Sequence, residues 1–345
     1  MKIGITYDMR SEYLKAGYSE EETAEFDRDD TISAIEAALA ALGFLPERIG
    51  HARQLIDRLA RGDRWDLVFN IAEGLHGIGR EAQVPAILDL FGIPYTFSDP
   101  LVMALTLHKG MTKRVVRDAG IPCCDFAVVD SPDEVRHIGF APPYFLKPVA
   151  EGTGKGVTVE SIVRAQDDLA AACEKLISHF RQPVLVEQFL PGREFTVGII
   201  GTGAQSRVLG TLEVTLLQNA DPNVYSYTNK EYCEDRVTYA VVRPEESRTV
   251  ARSEEIALEA WRVLGCRDGG RVDIRCDEIG SPQFMEVNPL AGLHPQHSDL
   301  PILCSALGVD YVQLIGWILD SATQRVRGAV NGSRKEALLA CGCCS

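Results

Sequence analysis

The texture of the sequence changes near residue 107, and that change limits the folds open to the chain. Before it, apolar runs alternate with segments of helical period. Residues 2–7 read as a short buried strand, and residues 30–42 place Ile32, Ile35, Leu39 and Leu42 on one helical face before closing on Gly43. Residues 65–71 are a second apolar strand, and residues 82–90 form a helix stopped by Gly92 and Pro94. Such alternation implies a parallel α/β unit over residues 1–107. A helix over residues 108–119 ends at Gly120, with Pro122 beyond it, and strands then dominate. Residues 144–149 and 157–160 read as a hairpin around a Gly-rich turn. Residues 184–189, 194–200 and 208–214 are further strands, and 271–276 with 283–287 make another hairpin. Helices at 248–264 and 300–319 interrupt the run, the signature of an α+β region.

Composition removes several function classes. The net charge of −14 disfavours a nucleic-acid surface, which needs clustered Lys and Arg. No run of 18 apolar residues appears, and Met1-Lys2-Ile3-Gly4-Ile5 starts on strand-like sequence instead of a signal peptide. A cytoplasmic protein without membrane or nucleic-acid partners is expected. Seven of the ten cysteines are scattered without metal-ligand spacing and read as small buried hydrophobes. Cys341, Cys343 and Cys344 cluster at the end, in what reads as a tail over residues 326–345. Residues 10–30 are acidic and weakly periodic, read as a solvated loop or helix start, with a loop recognising a substrate ammonium as the alternative.

Three segments carry chemistry. On the 271–288 hairpin, Arg271, Asp273 and Arg275 share one face, as do Glu286 and Asn288 on the partner strand. Two carboxylates and an amide oxygen are hard donors of the kind Mg²⁺ accepts beside substrate phosphates, although an ordinary polar hairpin face would show the same pattern. Lys147 ends a strand and is followed by Glu151-Gly152-Thr153-Gly154-Lys155-Gly156, where glycines let backbone N–H groups approach an anion. The spacing is neither a P-loop nor a dinucleotide fingerprint. An apolar strand ending in Glu187-Gln188-Phe189-Leu190, followed by Glu194, has the makings of an adenine and ribose slot.

In this order the pieces resemble the ATP-grasp superfamily, and more closely its D-alanine–D-alanine ligases. The likeness spans roughly residues 65–320. It rests on Gly92-Ile93-Pro94-Tyr95-Thr96, Lys109 with Thr112-Lys113, Leu146-Lys147-Pro148, Glu151-Gly152-Thr153, Val186-Glu187-Gln188-Phe189, Pro191-Gly192-Arg193-Glu194, Lys230, Arg271-Val272-Asp273 and Glu286-Val287-Asn288. The resemblance implies an ATP-grasp fold of mixed α/β and α+β class. Its parts would be an N-terminal α/β domain (1–107), a central subdomain (108–183), a C-terminal subdomain (184–325) and the tail. It implies ATP and two Mg²⁺ as cofactors, with Mn²⁺ as an alternative ion, small carboxylate and amine substrates, and a homodimer.

By the same resemblance, Lys109 and Lys147 would hold phosphates under the loop Glu151, Gly152, Thr153, Gly154 and Gly156. Glu187, Phe189 and Leu190 would line the adenine pocket, and Glu194 would take the ribose. Asp273, Glu286 and Asn288 would bind the metals. Lys230 would reach the γ-phosphate, and Arg271 and the Gly292 N–H would face the reacting carboxyl. The implied activity joins a carboxylate to an amine through an acyl phosphate, releasing ADP and phosphate; a phosphotransferase on the same fold is the alternative.

The sequence departs from the family where amino acids are recognised. Ile5-Thr6-Tyr7-Asp8-Met9-Arg10 replaces the N-terminal motif whose Glu grips an ammonium, with Glu25 or Asp27 as nearest replacements. The lid pair reads Lys230-Glu231. The segment from Asn288 to Ser298 is one residue longer than the family pattern, leaving His297 or Ser298 to hold a second carboxylate. ATP-binding residues are kept and substrate-binding residues are changed.

Overall fold

Three sheets carry the chain. The computed structural model describes residues 1–221 and 233–341, with side chains over 1–221 and 235–327. The first sheet is parallel, in the order β2-β1-β3, from β1 (Lys2–Thr6), β2 (Leu45–Gly50) and β3 (Leu67–Asn70). Parallel sheets need cover on both faces. Ile3, Ile5 and Phe69 pack against Ile32, Ile35 and Leu39 of helix Asp29–Ala41 and Leu314, Ile315 and Ile318 of helix Tyr311–Cys341. Val68 turns the other way, with Trp65, Leu55, Leu59 and Leu88. The C-terminal helix therefore completes the N-terminal unit. Strand β2 and helix Ala52–Ala60 were not expected. The strand lies at the sheet edge, where Pro46, Glu47 and Arg48 are tolerated and hide its period.

The second sheet is antiparallel, ordered β4-β7-β5-β6, from β4 (Phe126–Val129), β5 (Tyr144–Pro148), β6 (Ile162–Val163) and β7 (Val184–Gln188). One face packs through Val129, Tyr144, Leu146 and Val186 onto Leu169 and Cys173 of helix Gln166–Phe180, a helix absent from the sequence reading. Two expectations fail here. Residues 157–160 are not the return strand of the hairpin: Thr158 caps a short 3-10 turn, Val159–Ser161, and pairing with β5 resumes only at Ile162. Strand β7, expected to open the C-terminal unit at residue 184, pairs with β4 and β5, so the step to the next sheet falls in residues 189–193.

The third sheet, ordered β10-β9-β8-β11-β12, contains β8 (Glu194–Ile200), β9 (Arg207–Leu216), β10 (Val237–Val242), β11 (Gly269–Cys276) and β12 (Pro282–Asn288). Phe195, Val197, Val272 and Phe284 pack on Ile256, Ala257 and Trp261 of helix Arg248–Val263. The single helix expected over 300–319 is two, Asp299–Ala306 and Tyr311–Cys341, broken at Gly308, whose φ of 76° a right-handed helix cannot contain. The second continues to Cys341, through much of the stretch expected to be a tail; Cys343 and Cys344 lie outside the described residues. Among the described residues no single helix is long and apolar enough to cross a membrane.

Asp268 ties these layers together. Fully buried, its carboxylate accepts from Phe97 N (2.7 Å), Ser321 Oγ (2.8 Å), Thr202 Oγ1 (3.2 Å) and Arg325 Nε (3.0 Å). These donors come from the N-terminal unit, the β8–β9 turn and the last helix. Removing one partner of a buried pair strands the other without solvent. Asp268→Ala should therefore lose about 3 kcal/mol of stability, read as a lower denaturant midpoint, while Ser321→Ala should cost about 1 kcal/mol.

Candidate active site

Each antiparallel sheet has one face covered by a helix, and the opposite faces carry the charged side chains. On β5 and β7, Leu146 and Val186 face the helix, which turns Lys147 and Glu187 the other way. Glu187 is 1% exposed and lies 2.6 Å from Lys113 and 3.0 Å from Lys147. Lys147 continues to Glu286 on β12 at 3.4 Å, and Lys109 stands 3.9 Å from the same carboxylate. Alternating charges thus link the two sheets. Burial raises the Glu187 pKa, but Lys113 and Lys147 outweigh it and hold the carboxyl low. Burial works against Lys147 too, yet Glu187 and Glu286 keep it charged. For Lys109 burial prevails and its pKa falls.

The Glu187 side chain is therefore engaged by two lysines. Lys113, absent from the expected site, is the residue the sequence reading missed. It is fully buried, donates to Phe284 O at 3.1 Å, and lies within 3.7 Å of the Cys123 and Cys124 sulfurs. A lysine four residues after Lys109, on the buried side of helix Lys109–Asp118, was the available signal.

The β11–β12 hairpin places its polar residues as the alternation implies. Arg271 pairs in register with Asn288 and Asp273 with Glu286, and a bulge follows before Ile274 pairs with Phe284. Arg271 forms an ion pair with Asp273 and lies 3.5 Å from Asp299. Asn288 Oδ1 accepts from Leu290 N at 3.2 Å. Asp273 and Glu286, side by side across the hairpin, with Asn288 beyond, are a hard-oxygen donor set that suits a divalent ion completing its shell with phosphate oxygens and water. Here the neighbouring cations Arg271, Lys147 and Lys109 neutralise them.

The glycine-rich loop is clamped to the N-terminal unit. Thr153, Gly154 and Gly156 have positive φ, and a Cβ at Gly156 would meet Pro148 and Phe180 at under 3 Å. Glu25 accepts from Gly152 N and pairs with Arg80 at 2.7 Å and Lys155 at 3.3 Å. Arg80 also donates to Ala150 O at 2.7 Å, and Lys155 pairs with Glu151. Residues 10–30 are thus no solvated loop throughout: the Glu25 side chain is 6% exposed. Burial opposes its charge, and Arg80 and Lys155 more than compensate.

Two cavities meet along Lys109 and Glu286. The smaller, about 70 Å³, is lined by Lys147, Gly154, Lys155, Glu194 and Asp273 among others. Glu194 lies 3.4 Å from Arg275, whose guanidinium stacks over Phe189, and Leu190 is buried. The larger, about 340 Å³, runs between the N-terminal unit and the hairpin. Arg271, Asn288, Gly292, His297 and Ser298 line one side, and Asp27, Glu73 and Glu81 the other. Gly292 has no room for a side chain, since a Cβ would stand 2.7 Å from Ser298 Oγ. That hydroxyl accepts from His294 N at 3.0 Å, and the His294 and His297 rings lie 4.5 Å apart. Lys230 falls outside the described residues.

Residues 115–320 match the family described as D-ala D-ala ligase C-terminus. The chain is 35% identical over 277 residues to a D-alanine–D-alanine ligase of Bordetella pertussis, covering 80% of this chain and 83% of that protein. It is 34% identical over 297 residues to that of Alcanivorax borkumensis, covering 86% and 89%. The crystal structure of D-alanine–D-alanine ligase from Bacillus anthracis complexed with ATP superposes with a TM-score of 0.71 at 24% identity, covering 95% of this chain and 99% of that one.

Asp27 offers a pH test. Burial, then Asp8 and Asp30, push its carboxyl from 3.8 up to about 7. Folded protein then binds that proton more tightly than unfolded protein, so the contribution to stability is full below pH 4 and lost as pH rises through about 7. The side chain still touches the cleft, which reduces the effect. Asp27→Asn should match wild type near pH 4 and exceed it by about 1–2 kcal/mol at pH 8, read by denaturant unfolding across that range.

Proposed function

The chain belongs to the D-alanine–D-alanine ligase family of ATP-grasp enzymes, an ATP-dependent ligase that forms a peptide-type bond, and from that premise we propose how its residues do so and where its substrate differs. The observation that carries the reading is Lys147, which stands between Glu187 and Glu286, the second of which lines both cavities. A nucleotide seated between the two sheets meets Lys147 and Lys109 with its phosphates, under the loop from Glu151 to Gly156. Phe189, Leu190 and the backbone around Glu187 form the base end, and Glu194 the ribose end. Asp273, Glu286 and Asn288 would hold two divalent ions, in our reading Mg²⁺, which when bound would neutralise phosphate charge.

The remaining chemistry falls to the protein. A substrate carboxylate in the larger cleft is steered to the hairpin by Arg271, and its oxygen takes the terminal phosphoryl group as ADP leaves. The acyl phosphate so formed has a good leaving group, which the carboxylate itself lacks. The amine nitrogen then attacks the acyl carbon, the bond to phosphate breaks, and the nitrogen gives up its proton. Arg271 and the Gly292 N–H stabilise the oxyanion that develops, and Ser298 and His297 receive a carboxylate of the amine component. Lys230 belongs to this proposal by resemblance. The central unit extends in this reading to residue 188, since β7 shares its sheet. The absence of the N-terminal ammonium-gripping motif, and the use of Glu25 to hold the loop, indicate a first substrate other than D-alanine.

ADP release measured over a panel of D- and L-amino acids, alone and paired, tests the ligase reading. We expect release only with a carboxylate and an amine together, and an amide in the products. A phosphate ester in its place would favour phosphotransfer, and fast turnover with D-alanine alone would overturn the altered substrate. Glu286→Ala should lower kcat about 100-fold or more, the loss expected when a metal and Lys147 lose their shared carboxylate; unchanged turnover would remove the metal assignment.

A further inference from the structure

The N-terminal side of the 340 Å³ cleft carries Arg10, which pairs with Glu20, and Arg28, and beside them more carboxylates than one amino group can use. Four come from the N-terminal unit: Glu25, Asp27, Glu73 and Glu81. Glu25 is engaged by Arg80, Lys155 and Gly152 N. The other three have no ion pair or side-chain hydrogen bond among the described residues; of the cations that act on Glu73 and Glu81, Arg80 is held by Glu25 and Ala150 O, and Lys109 by Glu151 O and Glu286. The same side carries Thr31, 1% exposed, whose hydroxyl has no hydrogen-bond partner among the described residues and borders the cleft. Arg271, His297 and Ser298 face them with groups suited to anions.

We propose that the amino acid activated by this enzyme is a diamino acid, whose α-ammonium and side-chain ammonium are received by Asp27, Glu73 and Glu81 while its carboxylate lies toward Arg271. This rests on the ligase reading above. One α-ammonium satisfies one carboxylate; with a neutral side chain the other two stay unpaired and half-buried at the cleft wall, which is costly for an ion. A second ammonium removes that cost, and Thr31 Oγ1 offers it a neutral acceptor. In the free protein the group relieves its own repulsion by holding protons: burial, then Glu81 and Glu25, raise the Glu73 pKa, and burial raises that of Glu81 against Arg80. Binding two ammonium groups there must therefore expel protons.

The experiment uses the full chain with ATP and Mg²⁺. ADP release is measured for lysine and ornithine, in both enantiomers, against isosteric norleucine and alanine, each with a fixed panel of amines. The diamino acids should exceed norleucine in kcat/KM by at least on the order of 100-fold, because a site built for a polar group rejects the analogue lacking it. Glu73→Gln should shrink that ratio about tenfold or more, through KM. If the variant fails to fold, calorimetry of wild type at pH 6.5 in buffers of different ionisation enthalpy still decides: lysine binding should release more protons than norleucine binding. Norleucine or alanine equalling lysine, or lysine binding without proton release, overturns the substrate class and leaves the ligase reading intact. ADP release with no carboxylate–amine pair at all overturns both.

Discussion

Glu187 is the charge on which the site depends. Taking a carboxylate out of water costs several kcal/mol unless cations repay it at close range, and Glu187 is repaid twice, by Lys113 from the helix beneath and Lys147 from the neighbouring strand. Neither lysine could be buried without it. Lys147 then carries the alternation to Glu286 on the third sheet, so one line of charges spans the gap between two sheets that share no strand pairing. The arrangement holds Lys147 charged at the place where phosphates are proposed to sit, and it needs no reorganisation when an anion arrives.

A second set of charges acts between domains. Glu25 belongs to the N-terminal unit, yet its carboxylate holds the loop that follows β5, with Arg80 as a shared counter-ion. Loop position is therefore coupled to the N-terminal unit, and the unit itself is completed by the C-terminal helix and fastened through Asp268. The larger cleft between these parts is built from both ends of the chain. Four of its carboxylates come from residues before 82, and Arg271, His297 and Ser298 from residues after 270.

Much of the nucleotide half was legible because strands print their faces. The alternation of Arg271, Asp273, Glu286 and Asn288 with Val272 and Val287 predicted a shared polar face, and the register bears it out. The bulge at Met285 is not readable, since no glycine or proline marks it. Helix Gln166–Phe180 was overlooked although Leu169, Cys173, Leu176 and Ile177 carry a helical period. Strand β2 was hidden by its edge position, where Pro46 and charges are tolerated. Val157 was taken for a strand residue because it is apolar, but it is buried against Phe145 from a turn.

The sequence by itself determined the family, the mixed α/β and α+β class and the residues of the polar hairpin face, because each is written in local spacing and order. Only the tertiary structure decided which charges pair. Lys113 and Glu187 are 74 positions apart, and Glu25 and Gly152 are 127 apart, so no local pattern records that one pair buries itself or that the other fixes a loop. For the same reason the unpaired carboxylates of the cleft could not be recognised in advance. A charge is in excess only relative to the neighbours that folding brings to it, and burial sets what that excess costs.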